Sequence, residues 1–175
     1  MIATVIGIDD VIAVTPTLDT NVYASGDQLG GIQTITDAYR TVYRPFDQPS
    51  QPLTGQTQLG GKAILQSITI IDGAKQSQPI DIMFFSSSPT LTSSDNAAID
   101  ISDAEMAAKC IGVVSVDTAY VDLSNNSLVT YVNAGLVLKQ DASATDHNIY
   151  AVCIIRGAAT YAADSLKFLY GFMQD

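Results

Sequence analysis

The sequence predicts a mainly β protein, an antiparallel β-sandwich of jelly-roll-like topology with one short helix. Three observations lead there: short apolar runs alternating with polar residues, turn clusters between them, and a single segment with helix-capping chemistry. The 175 residues fit one domain spanning residues 1–175. A chain of this length buries about 70% of its extended surface, enough for a hydrophobic core without staples.

The strands follow in order. The first 14 residues alternate enough to form an N-terminal arm that adds a strand to a neighbour's sheet. Residues 63–71 are rich in Ile, Leu and Thr and close on the turn pair Asp72-Gly73. In Ile80-Asp-Ile-Met-Phe-Phe85, the residues Ile80, Ile82 and Phe84 share one face, and Pro89 stops the run. Residues 111–116 form the next strand, and residues 127–138 follow the turn-like Ser124-Asn125-Asn126. The run 149–155 is apolar on both faces and belongs in the middle of a sheet. Residues 166–172 end the series, with Leu166, Phe168, Tyr170 and Phe172 alternating with Lys167, Leu169 and Gly171. The helix lies near 102–109, where Ser102 caps and Glu105 is its capping-box partner.

Residues 41–61 form a different kind of segment. They hold three of the six prolines (Pro45, Pro49, Pro52) and four glutamines, and end in Gly60-Gly61. A loop this long is usually functional or mobile. It either anchors a partner through Tyr43, Arg44 and Phe46 or packs on its own domain.

Composition narrows the function. The chain is 47% hydrophobic but only 15% charged, against roughly 25% charged in a typical domain. A polar, weakly ionic surface suits a protein covered by neighbours. The net charge of −10 with eight basic residues, none adjacent, argues against nucleic acid and anionic membranes as partners. Cys110 and Cys153 sit in apolar runs without metal spacing and read as buried free thiols. The N-terminus lacks the basic region of a signal peptide, and no apolar run reaches membrane-span length, so a soluble, unsecreted chain is expected.

No catalytic or metal motif emerges, and no cofactor is expected. His147, between Asp146 and Asn148, lacks an identifiable nucleophile and orienting acid and reads as a surface histidine. The acidic stretch 94–105 brings together Asp95, Asn96, Asp100, Asp103 and Glu105. Oxygen-rich loops can hold calcium, but the required spacing is absent, and the helix N-terminus accounts for Asp103 and Glu105. A sugar-binding or glycoside-cleaving sandwich would need stacking surfaces; the chain has no tryptophan, though it has eight tyrosines. Asn125-Asn126-Ser127 fits a glycosylation acceptor but reads as a turn. Gly26, Gly30 and Gly31 lack the Lys-Ser/Thr and helix of a phosphate loop; they supply positive φ angles at two turns around a short polar strand at a sandwich edge.

One order of blocks carries a resemblance. Val14-Thr-Pro-Thr-Leu18 precedes Tyr23-Ala-Ser-Gly-Asp-Gln-Leu-Gly-Gly31, followed by Ile68-Thr-Ile-Ile-Asp72, Met83-Phe-Phe85 with Pro89, Asp95-Asn96 and Ile101-Ser-Asp103. Tyr150, Arg156-Gly157, Tyr161 and a closing hydrophobic strand come last. This resembles the small β-rich virion proteins of tailed bacteriophages, some of which decorate or cement the capsid. The most specific block is the turn Ala24, Ser25, Gly26, Asp27 with Gly30 and Gly31; the Pro/Gln-rich segment departs from the pattern. The resemblance implies a non-enzymatic decoration protein on the capsid surface, with the major capsid protein or another virion protein as partner and a homo-oligomer, favouring a trimer. Its contacts are expected at Ile2, Val5, Ile8, Tyr43, Arg44 and Phe46. The alternatives are a neck, tail or fibre-adaptor protein and, from another class, a carbohydrate-binding or hydrolytic domain. Deleting residues 42–59 is expected to lower particle occupancy while leaving the melting transition in place; unchanged occupancy on the head contradicts a contact role for that segment.

Overall fold

Eight long strands form four nested antiparallel pairs, as if one long hairpin had been folded over on itself. The computed structural model describes residues 8–36, 62–117, 119–139, 141 and 148–174. Strands β1 (Ile8–Val14), β3 (Gln28–Ile35), β4 (Lys62–Asp72) and β5 (Ile80–Phe85) make up the first half. Strands β6 (Cys110–Val116), β8 (Ser127–Lys139), β9 (Ile149–Ile155) and β11 (Leu166–Gln174) make up the second. β1 pairs with β11, β3 with β9, β4 with β8 and β5 with β6. Two further pairings, β11 with β4 and β5 with β9, close the sheets.

The result is an antiparallel β-sandwich, as the sequence predicts. A five-stranded sheet in the order β1-β11-β4-β8-β7 includes the short β7 (Val121–Asp122), and it faces a four-stranded sheet in the order β3-β9-β5-β6. A third, two-stranded ladder joins β2 (Val22–Tyr23) to β10 (Ala159–Thr160). Between the two large sheets lie Leu166, Phe168, Tyr170 and Phe172 from β11 and Leu65, Ile68 and Ile70 from β4. Ile80, Ile82 and Phe84 from β5 and Ala151, Cys153 and Ile155 from β9 meet them. Burying such side chains contributes about 1.5–3 kcal/mol each, and the alternation seen in the sequence is what aims them inward.

One polar chain crosses this core. The Tyr170 hydroxyl donates to Gln33 Oε1 at 2.9 Å, and Gln33 Nε2 donates to Cys153 Sγ at 3.1 Å. Phe84 meets the Tyr170 ring edge-on with centroids 5.9 Å apart. Pairing each buried polar atom avoids the cost of an unmet donor or acceptor.

β9 is buried on both faces, as its uniform apolar run requires. Its outer side chains Val152 and Ile154 are buried, and residues 93–98 supply cover beside Ile154. Ser93 Oγ donates to Gln28 Oε1 at 3.0 Å, and Gln28 stands opposite Ile154 in the β3–β9 register. The segment 86–109 ends in α1 (Asp103–Lys109), whose cap Ser102 accepts from Glu105 N through its side chain. The reciprocal half of the expected capping box does not form. Glu105 Oε2 instead accepts from Thr90 N at 2.8 Å and pairs with Lys109 at 2.7 Å, a partner one helical turn away. The Asp72-Gly73 turn is held by the buried Asp72 carboxylate, which accepts from the N–H groups of Ala74, Gln76 and Ser77.

Three expectations are revised. The described part of the N-terminal arm, Ile8–Val14, pairs with the chain's own β11, because Ile12 and Val14 pack against the core. Gly30-Gly31 is not a second turn but a bulge inside β3, where the register with β9 shifts between Leu29 and Ile32. Cys110 is half-buried rather than buried, since it lies at the start of an edge strand.

Cys153 is fully enclosed, and burial pushes its thiol up to about 12. In the native protein, iodoacetamide at neutral pH is expected to leave Cys153 unmodified, with labelling only after unfolding. Mass spectrometry of the labelled peptides reads this directly, and native labelling of Cys153 contradicts the closed core.

Candidate functional site: a carboxylate clasp and an uncharged sheet face

The motif 23–31 and the acidic loop meet at one carboxylate. Asp95 Oδ2 accepts from Asp19 N at 2.6 Å, and its two oxygens lie 2.9 and 3.0 Å from the Tyr23 hydroxyl that donates to them. Asp95 Oδ1 accepts from Gly30 N at 2.7 Å and from Asn96 N at 2.9 Å. Four donors therefore converge on one side chain and tie the loop before β2, β2 itself, the β3 bulge and the covering loop together. Bonds to an ionised acceptor are about twice as strong as neutral ones. Burial and the Asp95 carboxylate together raise the Tyr23 hydroxyl far above its ordinary range, so it stays a donor.

Each glycine of the motif answers a backbone demand. Ala24-Ser25-Gly26-Asp27 is a β-turn closed by Asp27 N donating to Ala24 O at 3.1 Å, with Gly26 at φ +101° in the position that requires it. Asp27 Oδ2 accepts in turn from Ala24 N at 2.7 Å. Gly30 has φ +71°, and a Cβ there would stand 2.4 Å from the Pro16 side chain. Gly31 shares the φ of +71° but would meet nothing nearer than 3.9 Å. The covering loop then runs along β3: Gln28 N donates to Ala97 O, Asn96 N to Gln28 O and Ile99 N to Gly26 O. The motif is thus the structural fastening of a sheet edge.

Two more acids of this stretch are likewise engaged. Asp100 accepts from the Thr92 hydroxyl, and the Lys109 ammonium draws Glu105 below its ordinary carboxylate range, helped by the bond from Thr90 N. Among the described residues, no three His, Cys, Asp or Glu side chains converge as a metal-ion set. Ile2, Val5, Tyr43, Arg44, Phe46 and His147 lie outside the described residues. Ile8 opens β1, opposite Gln174.

A second feature was not foreseen from the sequence. The outer face of the five-stranded sheet is uncharged across its middle, where apolar side chains mix with the hydroxyls of Ser67, Thr69 and Thr130. The registers align Val11, Gly171, Ser67 and Val132 in one row, and Ala13, Leu169, Thr69 and Thr130 in the next. Met173, Ile64 and Val137 form a third row, and Ile71, Leu128 and Val121 a fourth. Val11 is 62% exposed, Val132 59% and Val137 54%. Among the described residues, charge returns at the ends, with Lys167 opposite Ile71 at one and Lys139 at the other. Among the described residues, nothing covers Val11, Val132 and Val137. The signal in the sequence was the second apolar set of β4 and β8, Ile64, Ile71, Val132 and Val137, which a one-faced reading of those strands passes over.

No family model matches the chain, and no curated protein is significantly similar to it. Among the described residues, no helix is long and apolar enough to cross a membrane.

The clasp makes graded demands. Asp95→Ala is expected to cost about 2–4 kcal/mol in urea unfolding through lost charge-assisted bonds. Gly30→Ala is expected to cost about 3 kcal/mol or more, adding a collision with Pro16 to backbone strain, whereas Gly31→Ala carries only the strain of about 1–2 kcal/mol. Equal losses at the two glycines contradict the close approach of Pro16.

Proposed function

We propose that the chain is a structural protein of a tailed-phage virion, a decoration or cement protein that binds the outer face of the capsid. The observation that carries this reading is the broad uncharged outer face of the five-stranded sheet on a chain of net charge −10. A broad uncharged surface with lysines at its ends fits docking onto another protein surface. It is unsuited to holding a small molecule, which needs a concave site. The strand orders β1-β11-β4-β8 and β3-β9-β5-β6 support a jelly roll, an architecture used in viral capsids. The order of sequence blocks supports the same assignment.

The work of such a protein is mechanical. Each copy contributes a modest contact, and repetition over a symmetric lattice turns many modest contacts into durable attachment. The major capsid protein is the partner, and Lys139 and Lys167 at the two ends of the face orient the sheet against acidic residues of that partner. Chemistry on a substrate plays no part in this role.

Cosedimentation of the purified chain with particles that lack it tests the assignment. The double variant Val132→Asp, Val137→Asp is expected to bind at least about tenfold more weakly, corresponding to about 1.4 kcal/mol. Its stability is expected to stay within about 1 kcal/mol of wild type, because both positions are exposed. Undiminished binding by a folded double variant contradicts docking through this face.

A further inference from the structure

One irregularity crosses three strands of the five-stranded sheet at Gln66. In the β4–β11 register Leu65 faces Phe172 and Ser67 faces Gly171, so Gln66 is an extra residue on β4. In the β4–β8 register Leu65 faces Leu136 and Ser67 faces Val132, so Asn133, Ala134 and Gly135 stand against Gln66 alone. Asn133 has φ +60° and Gly135 φ +63°, the left-handed values that let β8 bulge here. Glycine adopts that region freely, and Asn is among the few other residues that tolerate it.

The bulge brings an amide pair to the outer face. Leu65 and Ile68 are both fully buried between the sheets. Alternation along the strand then puts Gln66, next to Leu65, and Ser67, next to Ile68, on the outer face together. Gln66 Nε2 donates to Asn133 Oδ1 at 3.2 Å, so the Asn133 amide lies on that face too. The exposed Val132 and Val137 flank the pair along β8. Among the described residues nothing else bonds the two amides, which leaves Gln66 Oε1 as an acceptor and Asn133 Nδ2 as a donor. Turning both amides over exchanges the roles and leaves the same complement, one of each.

We infer that this pair is the polar recognition element of the docking face, and that it binds an extended main-chain segment of the partner protein through one N–H and one C=O. The inference rests on the docking role proposed above. A residue in an extended strand presents its N–H and its C=O to the same side, which is how paired residues of an antiparallel ladder exchange two bonds. The registers place no charged residue of β11, β4 or β8 beside the pair. A carboxylate or ammonium of the partner would therefore lose its water there without gaining a counter-charge. A wholly apolar partner surface would leave the acceptor and the donor unmatched, which costs more than a bond gains. A main-chain segment matches both and brings no charge. Val132 and Val137 on either side exclude water from the two bonds, as the surround of a central contact does.

Cosedimentation with particles that lack the chain, joined to hydrogen exchange on the complex, tests the pair. Asn133→Gly removes one amide and keeps a residue suited to φ +60°. Gln66→Ala removes the other. Both variants are expected to keep the wild-type circular dichroism spectrum and to bind about tenfold more weakly. In the saturated wild-type complex, a contiguous run of capsid-protein main-chain amides is expected to exchange more slowly, and Asn133→Gly is expected to release that protection at equal occupancy. Undiminished binding by both folded variants, where Val132→Asp, Val137→Asp weakens it, overturns the inference and leaves the docking role standing. So does a complex in which no protection of capsid-protein amides depends on Asn133. A wild type that does not bind, or a folded Val132→Asp, Val137→Asp variant that binds undiminished, overturns the docking role and this inference with it.

Discussion

The Asp95 carboxylate fixes the half of the molecule that a two-sheet sandwich leaves unprotected. A strand as apolar as β9 needs cover on both faces, and the five-stranded sheet supplies only one. Beside Ile154 the other face is met by the segment 86–109, an irregular stretch with a single short helix. Irregular backbone stays in place over an apolar surface only when its polar groups are satisfied. Asp95 accepts four donors from three other places in the chain, holding that segment against the β3 edge and over Ile154. The Gly30-Gly31 bulge is the matching half of the device: it turns an N–H toward the carboxylate and brings the backbone within reach of Pro16.

This arrangement divides the surface into parts with different roles. The β3 side is fastened and polar. The outer face of the larger sheet is uncharged across its middle, with lysine at its ends, on a chain where only eight residues are basic. On the proposed reading, the uncharged face of the larger sheet is the surface that meets other proteins. Contacts of that kind come in multiples, which suits a repeating particle surface.

The strands were legible in the sequence because their alternation is strong and their ends carry turn chemistry. Leu166, Phe168, Tyr170 and Phe172 declare one inward face, and residues 149–155 declare two. The helix was legible from Ser102, although Glu105 turned to Thr90 and Lys109 rather than to the cap. Gly30-Gly31 misled for a physical reason: turns and bulges both need positive φ, and the glycines alone do not distinguish them. The Asp95 clasp was hidden because its partners Asp19, Tyr23 and Gly30 lie 65 to 76 residues away, and only the fold brings them together. The uncharged sheet face was hidden for a related reason. Val11, Ile64, Val132 and Val137 come from three strands, and their adjacency is a matter of register rather than of sequence.

The copy number of this chain in purified phage particles, measured by quantitative mass spectrometry against the major capsid protein, addresses the central claim most directly. Near-parity with the capsid protein is the expected result, since a decoration protein follows the capsid lattice. A few copies per particle, matching portal or tail symmetry, or absence from the particle altogether, would contradict it.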